Sequence, residues 1–348
     1  MPLPQIISLT VIIMMALFLP FLVHKIEEQL EIFLFILGVA AVSITGVWSA
    51  HLVLEAALEP INISLAVLVM GLLFRVLRKQ INAFIESVER KAGLKPAIFC
   101  FILALALLSS VITAIIAALV LCEIVATLKL SRRNTVWVII MGCFAIGLGA
   151  VLTPLGEPLS TIVTSKLSGA PHNAGFFYLM RLLWIFVVPG VLLFSAAAAH
   201  IKDGQNTTEV LLENESIKQI IIRAAKVFLF VAALVLFGKG LTPLAEITIM
   251  RLPAWALYWA NSISAILDNA TLAAAEIVPA MTKKQIEFLL MALIVSGGFL
   301  IPGNIPNIIC ASKFKIKSKE WAKAALPLGA AVMLVYFIIL NFMPVSKA

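Results

Sequence analysis

Apolar residues in this chain arrive in blocks of about twenty, separated by short charged stretches, and not at the spacing of one-sided helices. Such blocks match the roughly 30 Å hydrocarbon core of a bilayer, which a helix crosses in about twenty residues. The pattern predicts plain spans at residues 3–23, 32–49, 61–78, 175–199, 220–238 and 323–343. Four further stretches break the rule. Residues 96–128 form one apolar run that as a single helix would extend about 50 Å, so it must fold back or leave the membrane. Its middle, Leu108-Ser109-Ser110-Val111-Ile112-Thr113, holds the run's hydroxyl cluster, and the expected result is a re-entrant hairpin whose arms each fall short of spanning. Residues 254–282 repeat the design around the polar tip Ser264-Ala265-Ile266-Leu267-Asp268-Asn269-Ala270-Thr271.

The segment after each hairpin repeats as well. Glu123-Ile124-Val125 and Glu276-Ile277-Val278 precede basic turns, Lys129/Arg132/Arg133 and Lys283/Lys284. Then comes a span interrupted by proline, at Thr153-Pro154-Leu155-Gly156-Glu157-Pro158 within 135–165 and at Ile301-Pro302-Gly303-Asn304-Ile305-Pro306 within 285–312. Paired prolines flanking glycine unwind a helix and expose its carbonyls and amides, which survive at membrane depth only where they line a cavity. Broken segments at matching places in two halves point to a transporter's binding site. The expected fold is therefore an all-α polytopic membrane protein of two inverted-topology repeats, residues 1–174 and 175–348, with about 8 full spans and 2 hairpins. Residues 80–95 carry Ile81, Phe84, Ile85 and Val88 at helical spacing and predict an interfacial helix, with a weaker counterpart at 241–252.

Composition narrows the function. With 62% hydrophobic and 13% charged residues, water is not the solvent of this chain, and the longest polar stretch, 202–218, holds neither a nucleotide site nor an active-site cleft. An ATP-driven pump and an enzyme are not expected. The net charge of +8 sits mostly in loops on one side if both hairpins are re-entrant. It is a topology signal that puts the basic side in the cytoplasm of a cell membrane, not a nucleic-acid footprint. The segment 3–23 lacks a basic lead and a small-residue cleavage site, which predicts a retained helix and not a signal peptide. Cys100, Cys122, Cys143 and Cys310 lack CxxC spacing and are expected as core hydrophobes; His24, His51, His172 and His200 fall at span ends. Arg181 and Lys226, inside spans, are expected to snorkel.

These residues resemble the ion transporter superfamily, which includes divalent-anion/sodium symporters, arsenite efflux permeases and D-type sodium/proton antiporters. The stretch Gly298-Phe299-Leu300-Ile301-Pro302-Gly303-Asn304-Ile305-Pro306-Asn307 is the nearest match, within a branch described as predicted cation transporters. The resemblance covers most of the chain and implies hairpin tips and unwound turns as the site, a homodimer and an elevator-like motion. In the symporters the tips read Ser-Asn-Thr. Here the first tip has no asparagine and the second offers Asp268-Asn269.

A carboxylate in an apolar core is a functional hypothesis by default. Asp268 at the second tip and Glu157 in the first turn stand out, and inverted symmetry would bring them together. Around them the candidate ligands are Ser109, Ser110, Thr113, Thr153, Gly156, Ser160, Ser264, Asn269, Thr271, Gly303, Asn304 and Asn307. Carboxylate, hydroxyl, amide and carbonyl oxygens suit sodium, lithium or a divalent cation, with sodium expected at Asp268, Asn269 and Glu157. A proton competes for the same carboxylates, so cation binding and protonation exclude each other. That is the minimal scheme for sodium/proton antiport; no cofactor is needed beyond the coupling ions. The alternatives are a sodium-coupled symporter of a small anion such as a dicarboxylate, and an arsenite-type or neutral-solute permease. Glu123 and Glu276, beside basic turns, are expected to be interfacial and ion-paired.

Overall fold

The computed structural model describes residues 1–23, 25–26, 29–201, 216–249, 253–266 and 269–343. Its helices are α1 (Leu3–Leu22), α2 (Leu30–Thr45), α3 (Ala50–Ala92), α4 (Leu94–Ile112), α5 (Ala114–Thr127), α6 (Arg132–Ala150), α7 (Pro158–Lys166), α8 (Tyr178–Ala199), α9 (Ile217–Ile249), α10 (Ala254–Ala260), α11 (Asn269–Glu276), α12 (Lys283–Ser296), α13 (Ile305–Phe314) and α14 (Ser318–Phe342). Short 3₁₀ turns cover Asn261–Ala265 and Ile301–Gly303. Among the described residues no β-strand is present, and seven helices are long and apolar enough to cross a membrane. The chain is an all-α, multi-pass membrane protein.

Three boundaries differ from the sequence pattern. α3 runs unbroken through both the expected span 61–78 and the expected interfacial helix, because the residues between Leu77 and Gly93 are good helix formers and Gly93, at φ 85°, is the first breaker. At 43 residues it is about 64 Å long, so its basic end must leave the apolar layer or run along its surface. α9 likewise absorbs the expected segment at 241–252 as far as Ile249. Finally, α4 has 19 residues, about 28 Å, and is one of the helices long enough to span; α5, with 14, is not.

The packing separates a flank from a centre. α2 and α3 lie against α9, with α1 on α2, and α1 and α3 turn many large apolar side chains outward, as lipid contact requires. The centre is built on α6, whose residues from Val138 to Ala150 are all buried, and on α12, buried from Ile286 to Ser296. α4 and α8 pack on α6, and α14 packs on α12. Gly149 shows how closely: an ideal Cβ there would lie 1.7 Å from the Ala106 carbonyl oxygen of α4. The obstruction is backbone, so it cannot swing away. Gly149→Ala is therefore expected to cost about 3 kcal/mol, the upper end for overpacking, seen as a lower melting temperature and poorer recovery of folded protein in detergent.

The direction of the central helices follows from their end contacts. Arg132, at the start of α6, donates to the carbonyls of Phe314 (2.6 Å) and Lys315 (3.0 Å) at the end of α13, and to both carboxylate oxygens of Glu320 in α14. Glu123 near the end of α5 pairs with Lys313. The starts of α6 and α14 and the ends of α5 and α13 thus share one end of the molecule, which is rich in Lys and Arg. At the other end, Lys166 of α7 donates to the carbonyl of Ile277 (3.3 Å), and His172 meets the carbonyls of Pro279 (3.2 Å) and Met281 (2.9 Å). Hence α6–α7 runs away from the basic end while α12–α13 runs toward it.

Candidate functional site

Each proline-bearing break has a turn of chain packed on it. In the first, helix stops after Ala150 and resumes at Pro158, where Pro supplies the preset φ of a first helical position and needs no donor. Against this gap lies the junction of α4 and α5. These helices are separated by Thr113 alone, which sits at φ 75°, ψ 148°, an outlier for a β-branched residue. The chain doubles back there: Thr127 Oγ1, at the far end of α5, donates to Asn82 Oδ1 of α3 (2.8 Å), beside the segment that leads into α4. Strained backbone persists only where its surroundings fix it. Here the amide of Ala114 donates to the Gly156 carbonyl (2.9 Å), Thr153 Oγ1 donates to the Ser110 carbonyl, and Ser109 Oγ lies 3.1 Å from the Ile146 carbonyl. The first tip and first break are one hydrogen-bonded unit containing Ser109, Ser110, Thr113, Thr153 and Gly156.

The second unit has the same plan. α12 stops at Ser296 and α13 begins at Ile305, with Pro306 in its first turn. Asn307 Nδ2 holds the gap closed by donating to the carbonyls of Gly297 (2.8 Å) and Leu300 (3.0 Å). Against it lies the turn between α10 and α11. An ideal Cβ on Gly303 would sit 2.9 Å from the Ala265 carbonyl oxygen, and one on Gly297 would sit 3.3 Å from Asn269 Nδ2. Ser296 Oγ donates to the Asn261 carbonyl (2.9 Å). Glycine at these positions lets a turn of backbone lie directly on the gap.

The two units meet. Asn304 Nδ2 would be 3.2 Å from an ideal Cβ on Gly147, so the second break touches α6 one turn before the first break. α5 packs beside α13, and both run to the basic end; α7 packs beside α11, and both run to the opposite end. Three helix N-termini, at Thr113, Asn304 and Glu157, and the first described residue of α11, Asn269, therefore lie at the inner ends of these pairs, and the C-termini of α4, α6 and α12 lie there with them. Backbone amides and carbonyls left over at such ends bind ions of either sign. Glu157, the residue before α7, is 8% exposed, and the Ser160 hydroxyl donates to its carbonyl (2.7 Å). Asn269 is 3% exposed and Asn307 1%. Asp268 and the side chains of Ser264 and Thr271 lie outside the described residues.

Elsewhere the polar residues depart from their sequence expectations in instructive ways. Glu123 is ion-paired as expected, but with Lys313 of α13, which is itself 9% exposed. Glu276 has an amide partner in place of the expected ion pair: it is 7% exposed and accepts from Asn261 Nδ2 (2.8 Å). Lys226 pairs with Glu31 at 2.7 Å. Cys122, Cys143 and Cys310 are buried core residues as expected, the sulfurs of Cys122 and Cys310 lying 3.4 Å apart across the α5–α13 contact, whereas Cys100 is exposed and not part of the core. Glu287, Asn261 and Ser296, all 0% exposed, are not among the residues that the sequence pattern singles out. Glu287 lies in an apolar helix and meets the same rule that marks Asp268; Asn261 and Ser296 carry no signal of their own. No curated protein matches this chain. A family model described as a protein of unknown function, DUF1646, matches residues 6–343, nearly its whole length, and the chain belongs to that family.

Proposed function

We propose that this protein is a secondary transporter that exchanges a small cation, most simply sodium, for protons across a cell membrane by alternating access. The observation that carries the reading is the meeting of the two tip-and-break units, together with their charge. Residues 106–114, 146–160, 261–271 and 296–307 contain no Lys, Arg or His, and their ionisable side chains are Glu157 and Asp268. A set of segments that offers hydroxyl, amide and carbonyl oxygens with acids and no base favours a cation. The antiparallel order of α6–α7 and α12–α13 supports inverted repeats, and the reversal at Thr113 supports a first re-entrant hairpin. Resemblance to the ion transporter superfamily adds a homodimer and an elevator-like movement of the central unit against the flank of α2, α3 and α9.

A second reading, sodium-coupled uptake of a small anion, draws on the helix N-termini gathered at the site, whose dipoles attract negative charge. The two readings separate in proteoliposomes holding a trapped pH dye. Sodium or lithium addition is expected to dissipate an imposed acid gradient; sodium-dependent accumulation of a labelled dicarboxylate without proton movement would overturn the antiporter. The hairpin is tested separately, with single cysteines beside Lys91 and Arg132 in a chain whose four native cysteines are replaced. An impermeant thiol reagent should label both from one face, and labelling from opposite faces would sink the first hairpin.

A further inference from the structure

The two halves end their second hairpin arms alike, in Glu123-Ile124-Val125 and Glu276-Ile277-Val278, and the helices packed beside those arms end alike too, in Ser312-Lys313 and Ser165-Lys166. At the basic end the pair is closed, Lys313 on Glu123. At the opposite end it is not. Lys166 Nζ lies on the backbone carbonyl of Ile277, one residue past Glu276, and the Glu276 carboxyl group is held instead by Asn261 across the two arms of the turn. The arrangement leaves two acceptor oxygens, Glu276 Oε1 and Asn261 Oδ1, buried and without a hydrogen-bond partner among the described residues. An orphaned carboxylate oxygen in an apolar setting costs several kcal/mol if charged, and a bound proton removes that cost.

Among the described side chains, the other charged groups on the elements packed against α11 are Lys283, Lys284 and Glu287 of α12 and Lys218, Arg223, Lys226 and Lys239 of α9; α10 and the 3₁₀ turn after it carry none. Lys226 and Lys239 are engaged by Glu31 and Glu55, and Lys284 by the Met343 carbonyl. Lys166, bonded to the carbonyl of Ile277, the next residue, is a cation held close to Glu276. We propose that Glu276 is a proton-binding site of its own, joined through Asn261 to the edge of the second tip-and-break unit, with Asn261 positioning its carboxyl group and Lys166 taking the carboxylate once the proton has left. Because Asn261 also accepts from Ser296 at the second break, loading or unloading this proton acts on the same turn of chain that closes the candidate cation site. The coupling rests on the transporter reading; the proton site does not.

The test is pH-difference infrared spectroscopy of the full chain in lipid. A carboxylic-acid carbonyl component at the high frequency of a buried, incompletely hydrogen-bonded acid, distinct from the bands of the chain's other acids, is expected to appear on acidification in the wild type and in Glu157→Gln, and to be lost in Glu276→Gln. Glu276→Asp should retain a band at altered frequency, which guards against a Gln variant that fails to fold. Asn261→Ala should shift the band while leaving it present, a signature that a merely structural role would not produce. A band unchanged in Glu276→Gln, or absent from the wild type, overturns the proposal. Proton exchange measured on the same preparations keeps the two ideas apart: a Glu276 band without exchange sinks only the transporter reading, and exchange without the band sinks only the proton site.

Discussion

Glu157→Gln and Asp268→Asn are each expected to lower sodium-driven proton movement about a hundredfold, equivalent to about 3 kcal/mol of lost ion stabilisation. Glu157 is buried and follows Gly156, whose carbonyl receives the Ala114 amide, so its backbone belongs to the unit that joins the first tip to the first break. A cation desolvated there depends on that charge, and glutamine keeps the shape while removing it. The initial rate of dye response after sodium addition, measured at equal protein incorporation, gives the ratio directly. The anion reading predicts a different outcome. If the helix N-termini hold an anionic substrate, neutralising an acid beside them leaves uptake unchanged or improves it. Ser109→Ala is expected to be milder, about tenfold at most, because one hydroxyl among several neutral ligands is lost and its donor bonds are to nearby carbonyls.

The features legible in the sequence are those written in local patterns. Pro154 with Pro158, and Pro302 with Pro306, mark both breaks because proline acts on the turn that contains it, and the structure stops α6 and α12 just before them. The hydroxyls of Ser109 to Thr113 likewise mark the reversal between α4 and α5. Helix extent is less legible. Nothing between Leu77 and Gly93 opposes helix, so an amphipathic stretch and an apolar span fuse into α3, and only the hydrophobic pattern changes along it. Least legible are contacts between distant residues. Ser296 and Asn261 are 35 positions apart, and Lys313 and Glu123 are 190 apart. A lysine in a run of lysines looks like a topology signal until the fold places it on a carboxylate. Glu276 shows the converse: its sequence surroundings copy those of Glu123, yet the neighbouring lysine takes a carbonyl and an amide takes the acid.

Lys313 therefore carries a sharp stability prediction. Its side chain is 6% exposed and that of Glu123 14%, so removing one partner strands a charge in a poorly solvated place. Lys313→Met or Glu123→Leu alone is expected to destabilise the protein by about 3–5 kcal/mol. The double variant is expected to recover most of that, because burying two apolar side chains of similar volume avoids the desolvation of both ions. Unfolding in a graded series of detergent mixtures, followed by helix content, gives the four corners of the cycle. Arg132 and Glu320 provide the comparison: their side chains are 37% and 32% exposed, and Arg132→Met is expected to cost about 1 kcal/mol through the pair, the rest of its effect arising from the Phe314 and Lys315 carbonyls it leaves open. Additive losses in the Lys313/Glu123 cycle would mean that water reaches the pair and screens it. Strong coupling would mean that the α5–α13 contact is dry at the basic end, as the packing of Lys313 and Glu123 implies.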